Sequence, residues 1–127
     1  MTTEAPTQQL LRVRAAELGC ALWRNNSGAV TAVDARGIKR PVRFGVGNDS
    51  TKLNKVWKSS DLVGIGPGGR FLAVEVKHPR WTYKGTEREV AQLAFIENVK
   101  RLGGHGFFCT SVYEFEIEIR RMEQGES

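Results

Sequence analysis

Ser60-Asp61-Leu62-Val63-Gly64-Ile65-Gly66-Pro67-Gly68-Gly69-Arg70-Phe71-Leu72-Ala73-Val74-Glu75-Val76-Lys77-His78 is the stretch on which the fold turns. Two apolar runs, Leu62–Ile65 and Phe71–Val76, flank Gly66-Pro67-Gly68-Gly69. Short runs rich in valine and bounded by glycine predict strand, turn and strand rather than helix. Both faces of these strands are apolar, which predicts central strands covered on two sides.

Three charges interrupt the pattern: Asp61, Glu75 and Lys77. A turn centred on Gly68 sets Asp61 opposite Glu75, and directly opposed side chains share a face about 5 Å apart. Glu75 and Lys77 are two apart on one strand and share that face as well. Two carboxylates so close resist joint ionisation unless a cation lies between them. Oxygen ligands of this kind suit Mg²⁺ or Mn²⁺. On spacing alone a second reading stands beside this one, a structural Glu–Lys–Asp ion-pair cluster at a sheet edge.

The rest of the chain adds a resemblance. Asp61, thirteen residues, then Glu75-Val76-Lys77 resembles the D…(D/E)-x-K signature of the PD-(D/E)XK nucleases. More narrowly, four ordered blocks resemble the virus-type replication-repair nuclease family (VRR-NUC). They are Trp23-Arg24-Asn25-Asn26-Ser27-Gly28, Ser60-Asp61-Leu62-Val63-Gly64, Ala73-Val74-Glu75-Val76-Lys77, and Gln92-Leu93-Ala94-Phe95-Ile96 followed by Gly103-Gly104. The sequence departs from the family at Ser60, where a proline is usual, and in the longer stretch before it.

The resemblance implies an α/β fold with a restriction-endonuclease-like core, a mixed central sheet flanked by helices in the order α-β-β-β-α-β. It implies a metal-dependent endonuclease that hydrolyses phosphodiester bonds of DNA, structure-selective for junctions or flaps, acting in replication, repair or recombination. Asp61 and Glu75 would bind Mg²⁺ or Mn²⁺ together with the Val76 carbonyl, and Lys77 would orient water or stabilise charge on phosphorus. Gln92 would line the active site. The family also carries a Glu, three residues and a Gln near the start, matched by Glu4 and Gln8; this implies Glu4 as a further acidic group at the metal. Products would be 5′-phosphate and 3′-hydroxyl ends. Stand-alone members look like dimeric resolvases, so a homodimer is implied, in the cytoplasm of a bacterial or phage-infected cell.

Composition bounds these expectations. A chain of 127 residues fits one domain, residues 1–127, with room for a core. No apolar run is long enough to span a membrane, and Met1-Thr2-Thr3-Glu4-Ala5-Pro6 does not read as a signal peptide. Cys20 and Cys109 read as small buried hydrophobes rather than a disulfide. His78 and His105 lack zinc spacing and read as surface or loop residues. Gly64-Ile65-Gly66-Pro67-Gly68-Gly69 leads into a strand and so is no dinucleotide loop, and no G-K-[ST] phosphate loop is present.

The net charge of +5 is localised. Residues 34–58 hold seven Lys and Arg against Asp34 and Asp49, so the remainder is neutral. A concentrated basic stretch suits nucleic acid, with Lys39, Arg40, Arg43, Lys52, Lys55 and Lys58 as backbone contacts and Arg24 and Asn25 beside them. A solvated basic loop is the plain alternative. Lys52, Lys55, Trp57 and Lys58 interleave cation and aromatic, as single-strand binders do, although a tryptophan also packs readily on a core.

The remaining elements follow local signals. Thr2 or Thr3 caps a helix to about Leu18, with Leu11, Ala15, Leu18 and Leu22 as its buried stripe and Glu4 and Gln8 extending it backwards. Strands are expected at Cys20–Asn25, Ala29–Asp34 and Arg40–Phe44, the last at an edge because of Pro41. Residues 45–59 read as a long basic loop without periodicity. Thr86 and Glu89 form a capping box for a helix to about Leu102, stopped by Gly103. Its inner face would be Gln92, Phe95, Val99 and Leu102. Gly106–Cys109 is a strand beside the hairpin. Residues 111–122 satisfy both strand alternation and helical spacing; helix is preferred, with a frayed end from Glu123. Two other functions remain open: a non-catalytic nucleic-acid-binding module, and a protein–protein adaptor using the acidic tail.

Overall fold

The computed structural model describes residues 4–125. The strands β4 (Leu62–Ile65) and β5 (Phe71–Val76) have the expected bounds. They pair antiparallel with Leu62 opposite Val74 and Ile65 opposite Phe71, a register centred on Gly68. Gly68 and Gly69 have φ of 73° and 80°, a conformation that disfavours side-chain-bearing residues.

Around this hairpin stands a mixed sheet of four strands in the order β1-β4-β5-β6. β1 (Ala21–Arg24) runs antiparallel to β4, and β6 (His105–Cys109) runs parallel to β5. The parallel pair needs a crossover, supplied by α3 (Glu87–Arg101). β1 approaches β4 so closely that a Cβ on Gly64 would lie 1.8 Å from the Ala21 carbonyl oxygen.

Alternation divides the sheet into two faces. Leu62, Leu72, Val74, Val76 and Cys109 pack with Leu11 and Ala15 of α1 (Glu4–Glu17) and with Phe115, Ile119 and Met122 of α4 (Val112–Glu123). The opposite face of β5 carries Ala73 and Glu75 and meets α3. The tail is helical over Val112–Glu123, so Glu123 belongs to the helix rather than to a frayed end: Ser111 caps it by accepting from the Glu114 amide, and burial recurs with helical period. Both cysteines are free; Cys109 is buried and Cys20 half-buried.

β2 (Gly28–Val33) and β3 (Lys39–Phe44) lie between β1 and β4 in sequence but form a separate two-stranded ribbon. Pro41 sits on one of its edges, as the ring requires. Val30, Val33, Val42 and Phe44 are all exposed along it.

Four expectations are corrected or bounded. Residues 45–59 are not wholly loop: Thr51–Val56 forms α2, whose Ser50 cap accepts from the Leu53 amide. Six residues are too few to show periodicity. The buried residues of α3 are Glu89, Ala91, Gln92, Ile96 and Val99; of the expected face Phe95 is only half-buried and Leu102 is not included. Leu102 is 69% exposed, because the chain leaves the helix there and Gly103, at φ 100°, turns it away. His105 is neither surface nor loop: it opens β6, is 3% exposed, and its Nε2 lies 2.8 Å from Glu118 Oε1. The Thr2 or Thr3 cap and the end of the tail lie outside the described residues.

Candidate functional site

The open end of the β4–β5 hairpin gathers the charged residues. Asp61 lies one residue beyond the Leu62–Val74 pair and therefore faces Glu75. Its Oδ2 accepts from the Val76 amide at 3.0 Å, while its carbonyl accepts from the Asn25 amide at 2.8 Å. Asp61 is thus fastened to β5 by its side chain and to the end of β1 by its backbone.

Glu75 is only 4% exposed. Burial, then the charge of Asp61 and a hydrogen bond with it, push the Glu75 carboxyl up to about 9, against the pull of Lys77 and Arg88. Without a cation, burial beside Asp61 favours the protonated form of this carboxyl. A divalent cation would neutralise both carboxylates and displace that proton, so the pair suits such an ion. Among the described residues no three His, Cys, Asp or Glu side chains are close enough to form a metal-binding group. An ion here would complete its shell with backbone oxygen and water, the habit of Mg²⁺. Glu4 starts α1, which packs on the opposite face of the sheet, and does not join Asp61 and Glu75.

Lys77 follows on the same face. Its Nζ donates to Gln92 Oε1 at 2.9 Å and lies 3.9 Å from Glu75 Oε2. Gln92, 2% exposed, is the buried amide expected on the inner face of α3, and Lys77 is its partner.

Two aromatic rings complete the enclosure, and neither was singled out from the sequence. The Lys77 ammonium lies 5.6 Å from the centre of the Trp81 ring and 5.7 Å from that of Phe108. These rings pack together at 4.8 Å. Trp81 is held by its indole N–H, which donates to Glu89 Oε2 at 2.8 Å. The other Glu89 oxygen accepts from the backbone of Lys84 and Thr86. Burial opposes ionisation of Glu89, but the backbone bonds from Thr86 and Lys84 and the Trp81 bond outweigh it and hold the carboxyl at about 2. The capping box is therefore also the clasp of the 77–86 loop. Glu89 was legible as a cap; its reach to Trp81 was not.

The basic residues divide. Arg24 is exposed at the end of β1, and Lys39 and Arg40 are exposed on the ribbon. Lys52 and Lys55 are exposed on α2, with Lys58 half-buried just after it. Arg43 is instead pinned, its Nε and Nη2 donating to the carbonyl and side-chain oxygens of Asn48. The Asn25 amide is likewise engaged within the protein. It donates to Ser59 Oγ at 2.7 Å and the Ser60 carbonyl at 2.9 Å and accepts from the Val46 amide. Asn25 shapes the approach to Asp61, and the expected DNA contact from its amide is not available in this arrangement.

Comparison of the chain with protein-family models, with curated proteins and with solved structures finds no match. No helix among the described residues is long and apolar enough to cross a membrane.

Proposed function

We propose that the chain is a divalent-metal-dependent deoxyribonuclease with a restriction-endonuclease-like core of the VRR-NUC kind. The observation that carries this reading is the convergence of Asp61, buried Glu75 and Lys77 at one hairpin end, with Gln92 on the ammonium. The order of α1, β1, β4, β5, α3 and β6 supports the fold, with β2, β3 and α2 inserted. The basic residues of 34–58 support DNA as the substrate.

Asp61 and Glu75, with the Val76 carbonyl, would hold Mg²⁺ or Mn²⁺; Glu4 stands outside this set. When bound, the ion supplies neutralisation of phosphate charge and acidification of water. Lys77 orients the attacking water or donates to the phosphate oxygen as negative charge grows there. Gln92 holds the ammonium in place through its Oε1. Trp81 and Phe108 exclude water from the flank of Lys77, which strengthens its field. A homodimer acting on junctions or flaps in a bacterial or phage-infected cytoplasm is part of the same proposal.

The test uses labelled linear, flapped and four-way DNAs with Mg²⁺, with Mn²⁺ or with chelator, and Lys77→Ala alongside. Metal-dependent cutting that vanishes in Lys77→Ala is the expected result. Tight binding in chelator with no cutting under any condition would replace the nuclease by a non-catalytic binding module.

A further inference from the structure

Between α2 and the first turns of α3 lies an open cavity of about 450 Å³ lined by Asn54, Lys55, Lys58, Glu87, Arg88 and Ala91. Its position is fixed by the Lys58 amide, which donates to the Ala91 carbonyl at 3.0 Å. Three cations converge on this concavity against one carboxylate, Glu87. Among the described residues, Lys55, Lys58 and Arg88 form no ion pair within 4.0 Å. Their side chains also donate no hydrogen bond there: the neighbouring contacts run through Ser50, Leu53 and the Lys58 backbone instead. Unpaired like charges around a cavity repel one another, and a shared anion relieves that repulsion.

The cavity is linked to the proposed active site through α3. Arg88 precedes Gln92 by four residues, so both lie on one face of α3, a turn apart. Gln92 in turn holds Lys77. A group seated here lies one helical turn along α3 from the residue that holds Lys77. The volume falls within the range of ligand-sized pockets and accepts a phosphodiester with part of its sugar.

We propose that this cavity seats a backbone phosphodiester of the bound DNA strand, flanking the one that is cleaved, with Lys55, Lys58 and Arg88 as its donors. The proposal rests on the nuclease reading and narrows it. The substrate strand is registered by a phosphate grip between α2 and α3, so the inserted segment takes part in placing the cut. Guanidinium and ammonium donors suit phosphate oxygens, and such contacts position a strand without reading its bases.

The experiment is a methylphosphonate scan. One phosphate at a time is made neutral along the strand of whichever DNA binds best. Affinity is read by fluorescence anisotropy in chelator, and cleavage is read separately in Mn²⁺. For the unmodified protein, one position near the cut should weaken binding about tenfold. In Lys58→Gln/Arg88→Gln that position should lose its effect, and the slope of log affinity against log salt should fall in magnitude by about 1. Lys58→Arg/Arg88→Lys keeps the charge and should restore the position-specific effect. An unchanged scan in Lys58→Gln/Arg88→Gln overturns the phosphate seat while leaving cleavage, and the nuclease reading, intact. A scan that responds as expected beside a wild-type protein that never cuts overturns the nuclease reading and keeps the grip. No binding of any DNA by the wild type overturns both.

Discussion

Gln92 Oε1 accepts a 2.9 Å hydrogen bond from Lys77 Nζ, joining the crossover helix to the strand that carries the carboxylate. The bond gives the buried amide its partner and the ammonium its direction. In Gln92→Leu the ammonium loses that direction but keeps its charge. Single-turnover cleavage should fall by roughly tenfold in Gln92→Leu and by roughly 10² or more in Lys77→Met, with circular dichroism unchanged. Equal losses in the two variants would mean that the amide does more than orient Lys77.

Glu75 predicts how the metal-free protein responds to pH. Its carboxyl is raised from 4.5 to about 9 on folding, so the folded state binds the proton more tightly. That contribution is complete below pH 4.5 and is lost as pH rises towards 9. Glu75→Gln removes the dependence. In chelator, its melting temperature should exceed that of the wild type by a margin that widens from pH 5 to pH 9. At pH 7 the gain is on the order of 3 kcal/mol. Saturating Mg²⁺ or Mn²⁺ should reverse the order and release a proton on binding, measurable by calorimetry in buffers of different ionisation heat. A flat margin across this range would remove the strained carboxyl pair from the account.

Glu89 gives the opposite sign. Its carboxyl is held at about 2, below the ordinary value, so its contribution is present above pH 4.5 and fades as pH falls towards 2. Acidification should free Trp81 and loosen the 77–86 loop. Tryptophan emission followed from pH 5 to pH 2 should show a red-shifting transition in the wild type that is already complete at pH 5 in Glu89→Ala. A transition unaltered by that substitution would assign the acid change elsewhere.

Gly64 and Gly68 should separate two kinds of glycine cost. A Cβ at Gly64 would strike the Ala21 carbonyl, whereas one at Gly68 meets open space and only the positive φ opposes it. Urea unfolding should show Gly64→Ala losing roughly 3 kcal/mol or more, and Gly68→Ala about 1–2 kcal/mol. Similar losses would mean that β1 can draw back from β4.

The hairpin was readable because one period and one turn fix its register. Once Gly68 is the centre, Asp61 can only face Glu75. Glu89 was readable as a cap because the Thr86 signal is local. Other features depend on contacts made only after folding. The role of Trp81 appears when β6 brings Phe108 beneath it. His105 is buried because α4 returns with Glu118, a pairing that no spacing encodes. The burial of α3 was misread at Leu102 because the helix ends one residue earlier. Arg88 had a usable signal, its four-residue spacing from Gln92, but its meaning depends on a short helix, α2, too brief to declare itself in the sequence.

β1 and β4 pair directly although the ribbon and α2 lie between them in the chain. The Asn25 side chain ties the two ends of that excursion together, at Ser59 and Ser60. The insert is therefore a cassette whose exchange asks nothing of the sheet beyond a closed neck. Its length or sequence could change while Asp61, Glu75 and Lys77 stay in register. Under the proposed nuclease reading, strand placement and bond breaking then rest on separable parts of the fold.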